Sequence, residues 1–191
     1  MNLKISLHDP EKILANLRWI QENFPLAEFP ENVRNLRTRA LRQALEMRQA
    51  ALFSYGMSTA IQKEVRFALK EEADFDAICS FEHEGKQISV PLQLKELVPE
   101  QLNPNSNLQN ELDKLQKYRN SRDLVVAYHL NRSCDINIRT LNLPQDVVSE
   151  IWIYTANNPE QTEWSLTGNI LSTDYRTYVF KHPAAREPER I

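Results

Sequence analysis

Apolar residues recur with two periods along this chain, helical over roughly the first seventy residues and alternating thereafter. Asp9 stands as an N-cap before Pro10 and Glu11, and Ile13, Leu14, Leu17 and Ile20 follow at helical spacing, so a first helix ends near Phe24-Pro25. After Pro30 a second stripe runs through Val33, Leu36, Ala40, Ala44, Met47 and Ala51, widened by Leu41, Leu45 and Leu52, with Gly56 expected to end it. Thr59 and Gln62 make a capping-box pattern for a third helix to about Glu72.

From Asp74 the period becomes two. Phe75, Ala77, Cys79 and Phe81 share one face of a predicted strand, Glu82–Lys86 with Gly85 reads as a hairpin turn, and Ile88, Val90, Leu92 and Leu94 line the return strand. Pro91 within that run marks an edge position or a bulge. Leu108, Leu112 and Leu115 give a fourth helix; Asp123–Leu130 is apolar almost throughout, as in a strand buried on both faces, which makes the helix before it a natural crossover. Residues 150–156 and 175–180 read as further strands. The expectation is a mixed α/β protein: a helical N-terminal extension over 1–57, an α/β core over 58–181 and a loose tail over 182–191.

Composition narrows the chemistry. The 191 residues include only three glycines, where about thirteen would be usual, and no two lie close together. Glycine-rich phosphate loops and the nucleophile elbow are thereby excluded, so catalysis must rest on side chains or on metal ions they hold. No stretch reads as a signal peptide or membrane span, and the expected location is cytoplasmic with no membrane partner. Cys79 and Cys134 read as buried free thiols, and His129, in the apolar strand, as a satisfied core residue. The net charge of −3 is unevenly spread: residues 31–50 hold five arginines against two glutamates, 64–113 eleven acids against four bases, and 114–132 five bases against one acid.

The informative stretch is 74–95. Asp76 opens one strand, and Gln93 and Lys95 lie two residues apart on the polar face of the next. A carboxylate and a neighbouring oxygen donor can hold Mg²⁺ while a lysine orients water or stabilises developing charge, the layout of metal-assisted phosphodiester hydrolysis.

Here the sequence resembles the PD-(D/E)XK, or restriction-endonuclease-like, nuclease superfamily over about residues 59–131. Its motif would read Asp76 … Gln93-x-Lys95, glutamine replacing the usual acid. The resemblance implies a mixed central sheet flanked by helices and Mg²⁺ or Mn²⁺ held by Asp76, Gln93 and a helix glutamate, Glu64. Lys95 would be catalytic beside them. It also implies a substrate of DNA, with RNA as the alternative. Lys114, Lys117, Arg119 and Arg122, around the Leu115-Gln116-Lys117-Tyr118 helix, are the expected nucleic-acid contacts. Because glutamine brings no negative charge, a second reading stands beside the first: a non-catalytic member of that fold, binding protein or nucleic acid. Its apolar N-terminal helices would then contact a partner or a second copy.

Overall fold

The computed structural model describes residues 6–118 and 121–188. Among these residues, seven strands form one sheet in chain order: β1 (Val65–Leu69), β2 (Ala77–His83), β3 (Lys86–Leu97), β4 (Val125–Leu130), β5 (Glu150–Ala156), β6 (Glu163–Gly168) and β7 (Arg176–Lys181). β1–β2–β3 and β5–β6–β7 are antiparallel; β3–β4 and β4–β5 are parallel. The parallel joins need crossovers, supplied by α4 (Leu108–Asp113) with the 3₁₀ turn Lys114–Tyr118, and by the loop between β4 and β5.

On the other face lie α1 (Pro10–Asn23) and α3 (Arg42–Ile61), preceded by the short α2 (Glu31–Arg34). Asp9 caps α1 by accepting from the Glu11 and Lys12 amides at 2.9 and 3.3 Å, as the sequence predicts. The sheet curls around α3, which packs on β1 at one edge and on β6 and β7 near the other. Period-two alternation divides the side chains of β4. Val125 and Ala127 join Leu14, Leu52, Phe53, Trp152 and Trp164 beneath α1 and α3, whereas Val126 and Tyr128 join Leu108, Leu112, Leu115 and Ile153 beneath α4.

Several expectations are corrected. The second stripe is broken into α2, a 3₁₀ turn at Arg39–Leu41 and α3. Gly56 does not end α3 but lies inside it, buried where a Cβ would come within 2.8 Å of Phe180 Cε1 on β7. The helix from Thr59 to Glu72 does not form; α3 ends at Gln62 in the left-handed conformation and Val65–Leu69 is a strand. Val65, Phe67 and Leu69 alternate, and the Val65 and Phe67 side chains are buried in the sheet, a tertiary gain that outweighs a local helical preference.

The proposed boundary at residue 57 therefore cuts α3. α1 and α3 form a layer of the core rather than an appendage: Leu14, Ala50, Ala51 and Leu52 have no exposed surface, and with Ile13 and Met47 they pack on the protein's own sheet. The expected tail is tethered at two points, the His182 amide donating to Thr162 O at 2.8 Å and the Arg186 amide to Ala15 O at 3.2 Å, with Pro183 buried between them. Residues 189–191 lie outside the described chain.

Cys79 is buried, but Cys134 is exposed in the loop after β4. His129 is buried and stacked on Tyr154, ring centroids 5.0 Å apart, yet its Nδ1 and the Tyr154 hydroxyl have no hydrogen-bond partner among the described residues, so it is not the satisfied core residue expected. Burial, reinforced by Arg48 and Arg37, pushes His129 down to about 3 and keeps it neutral. Among the described residues no helix is long and apolar enough to cross a membrane.

Candidate functional site

β3 is longer than β2 and carries two of the three motif residues. Its pairing with β4 begins at Leu92, so Pro91 sits in the half of the strand that has only β2 as neighbour, where a missing amide donor costs nothing. Asp76 lies just before β2, its amide donating to Leu92 O at 3.0 Å, and its side chain turns back along β3. There Asp76 Oδ2 accepts from the Leu94 amide at 2.8 Å and from the Gln93 side-chain amide. The carboxylate thus takes over a ladder position that β2 no longer occupies.

Gln93 is buried, and both ends of its amide are engaged. Its Nε2 donates to Asp76 Oδ2 and to Leu94 O at 3.3 Å, while its Oε1 accepts from the Tyr118 hydroxyl at 2.9 Å. Lys95, two residues on and therefore on the same face, holds its ammonium 5.5 Å from the centre of the Tyr118 ring. The structure therefore brings Asp76, Gln93 and Lys95 together at one end of the α4 layer, with Tyr118 as the shared support. Tyr118 is the residue whose role the sequence did not assign; its signal was the Lys117-Tyr118 pair closing the crossover helix.

Burial holds the Asp76 carboxyl above the usual carboxylate range; the Leu94 amide and the Lys95 charge pull it part of the way back, Glu46 of α3 raises it further and Arg42 lowers it. Glu46 was not among the residues singled out, although it stands in the first turns of α3, where it pairs with Arg42 at 2.8 Å. Among carboxylates of the helical layer, Glu46 is the one within electrostatic reach of Asp76.

Glu64 is not. It precedes β1 and is exposed, accepting from Arg66 Nε at 2.7 Å. β1 runs antiparallel beside β2, so Glu64 lies next to the Phe81 end while Asp76 lies beyond the Ala77 end, about 17 Å or more away at a strand rise of ~3.3 Å per residue. The role expected of Glu64 fails because the helix that was to carry it is a loop and a strand. Glu96 occupies the opposite face of β3 from Lys95, held by Arg37, by Gln49 Nε2 at 3.3 Å and by Asn131 Nδ2 at 2.8 Å.

Of the expected nucleic-acid contacts, Lys117 is exposed with its ammonium 4.8 Å from the centre of the same Tyr118 ring, placing a second cation at the site. Lys114 pairs with Glu111 at 2.6 Å. Arg122 is exposed and lines, with Asp74, Phe75 and Ser121, a cleft of about 380 Å³ lying against the segment that leads into Asp76. Arg119 lies outside the described residues.

Asp76 carboxylate oxygens, the Gln93 carbonyl and the Leu94 carbonyl are the hard oxygen donors that Mg²⁺ and Mn²⁺ take, and an incompletely compensated, half-buried carboxylate is one that a cation would relieve. The residues fit such an ion if the Gln93 amide turns over, exchanging its O and N. The Tyr118 hydroxyl allows this, since it can accept from the amide as readily as donate to it. Among the described residues no group of three or more His, Cys, Asp or Glu side chains gathers for a metal, so a bound ion would depend on one carboxylate and on ligands from water or substrate.

Compared with known proteins, the chain matches no family model, no curated protein and no solved structure. What fold and site define together is an α/β protein with a curled seven-stranded mixed sheet and an acid–amide–lysine site at the junction of β2, β3 and the crossover helix.

Proposed function

We propose that the protein is a Mg²⁺- or Mn²⁺-dependent nuclease of the restriction-endonuclease-like fold, hydrolysing phosphodiester bonds in DNA. The observation that carries the reading is the convergence of Asp76, Gln93 and Lys95 on one face of β3. It is supported by the sequence of elements from α3 to β4, a helix, three antiparallel strands, a crossover helix and a parallel strand, the order that the resembled superfamily carries.

Asp76 and, with its amide turned over, the carbonyl of Gln93 would hold the ion; Glu46, paired with Arg42, is the helix carboxylate nearby in place of Glu64. The bound ion supplies Lewis-acid polarisation of the scissile phosphate and a more acidic water. Lys95 contributes a cation beside the Tyr118 ring, able to hold the attacking water and to stabilise charge as it develops on the phosphate oxygens. Tyr118 fixes the Gln93 amide from below, and Lys117 and Arg122 offer cations to the flanking phosphates.

The test is cleavage of supercoiled plasmid with Mg²⁺ or Mn²⁺. Cleavage that is lost in Lys95→Ala and in Asp76→Asn, both folded by circular dichroism, is the expected result. Cleavage that survives in Lys95→Ala, or calorimetry showing no ion bound at millimolar Mn²⁺, would overturn the catalytic reading. The second reading, a module of the same fold that binds nucleic acid without cutting it, is favoured by the double engagement of Gln93; DNA retention without cleavage in every variant would select it.

A further inference from the structure

A second polar site lies on the opposite side of the sheet. A cavity of about 370 Å³ opens at the carboxyl ends of the three parallel strands, floored by Pro99 after β3, Asn131 after β4 and Gln161 after β5, and walled by α1 and residues 33–48. The carboxyl ends of adjacent parallel strands are where open α/β sheets leave a crevice for ligands. Four arginines line it: Arg18, Arg34, Arg37 and Arg48.

Their partners do not balance them. Arg37 is paired with Glu96. Arg18 spends its guanidinium on carbonyl oxygens, Glu160 O at 3.3 Å and Gln161 O at 3.0 Å. Arg48 is largely buried and donates to Gln161 Oε1; among the described residues no carboxylate lies within 4 Å of it. Arg34 is exposed at the rim. Against these four charges stand Glu96 and the exposed Glu160, leaving a surplus of two. His129 and Tyr154, whose buried Nδ1 and hydroxyl lack partners among the described residues, do not line the cavity but are near enough to feel the charge of Arg48. Burial holds Arg48 below its ordinary value, the condition of a guanidinium that a bound anion would relieve.

We propose that this cavity binds a phosphate monoester carried on a small organic group. A phosphomonoester brings about two negative charges at neutral pH, matching the surplus, where a lone carboxylate would leave one arginine uncompensated. The cavity is far larger than a bare phosphate needs, and Leu17, Ile20, Leu26 and Val33 supply apolar wall for an uncharged remainder. The site is independent of Asp76 and Lys95 and goes beyond the nuclease reading. The same chemistry is offered by a free mononucleotide or by the 5′-phosphorylated end of an oligonucleotide.

Calorimetry on the full chain, without divalent ions, tests it. AMP and phenyl phosphate are expected to bind, adenosine and phenol to bind at least about thirtyfold more weakly, since each charge-assisted contact is worth roughly tenfold or more. Arg48→Gln should weaken AMP at least about tenfold and the rim substitution Arg34→Gln about threefold, the latter at an exposed position where folding is not at stake. A tetranucleotide that binds only when 5′-phosphorylated would assign the site to nucleic-acid ends; binding confined to AMP and phenyl phosphate would assign it to small esters. Phosphate-independent binding, or AMP affinity unchanged in both variants, would overturn the proposal. Because no cleavage is measured, its failure and that of the nuclease reading are separate results.

Discussion

Gln93→Glu puts the Asp76–Gln93 pair to its sharpest test, because it should move stability and metal affinity in opposite directions. Without metal, the substitution removes the amide donor to Asp76 Oδ2, a hydrogen bond to a charged group worth about 1.5–3 kcal/mol, and leaves two carboxylates in its place. Two unit charges ~4 Å apart at an effective dielectric of ~20 repel by about 4 kcal/mol. Asp76 is only half-buried and the pair can share a proton, so the net loss at neutral pH should be about 2–4 kcal/mol. At roughly 2–4 °C per kcal/mol for a chain of this size, Tm falls by about 4–16 °C. The loss should shrink as pH falls and the pair takes up a proton. Added Mg²⁺ should reverse it, since a second carboxylate charge tightens binding by about tenfold or more. Thermal denaturation across a metal titration reads both effects. A variant as stable as the parent without metal would refute the hydrogen-bonded pair, and equal metal stabilisation of both proteins would refute the ion site.

Asp76→Asn should keep both hydrogen bonds through its carbonyl oxygen while discarding a charge that burial disfavours. Because the folded pKa lies above the ordinary value of 3.8, the native state binds more protons than the unfolded one just above that pH. Wild type therefore loses stability as pH rises through the window, and the variant should equal or exceed it at about pH 7, the advantage vanishing below about pH 4 in urea titrations. His129 has the opposite sign: neutral when buried and lowered to about 3, it favours the fold fully above pH 6.5 and withdraws about 1.4 kcal/mol per pH unit below it. His129→Phe should flatten that part of the stability–pH curve, and an unchanged slope would refute the assignment. Gly56→Ala gains about 1 kcal/mol of helix propensity but sets a Cβ 2.8 Å from the Phe180 ring, an overpacking cost of about 1–3 kcal/mol, so a net loss of up to about 2 kcal/mol by chemical denaturation is expected; a gain would mean that β7 can give way.

Much of this was legible in the order of residues because it depends on neighbours in the chain. Asp9-Pro10 starts α1, the alternation from Phe75 to Leu94 gives β2 and β3, Gly85 turns the hairpin at φ +72°, and the unbroken apolar run over β4 announces a strand covered on both sides. The same alternation puts Gln93 and Lys95 on one face. What it could not give was the pairing. Val65–Leu69 is short enough to read as the end of a helix, and only the β2 edge beside it makes it a strand. That one reassignment removes Glu64 from the site and leaves Glu46 as the helix carboxylate near Asp76. Tyr118, Arg18 and Arg48 acquire their roles only when the crossover helix and α1 settle on opposite faces of the sheet. Local hydrogen bonding and side-chain period act over a few residues and were determined by the sequence itself; charge surplus, burial and convergence arise between segments far apart in the chain, and tertiary packing decided them.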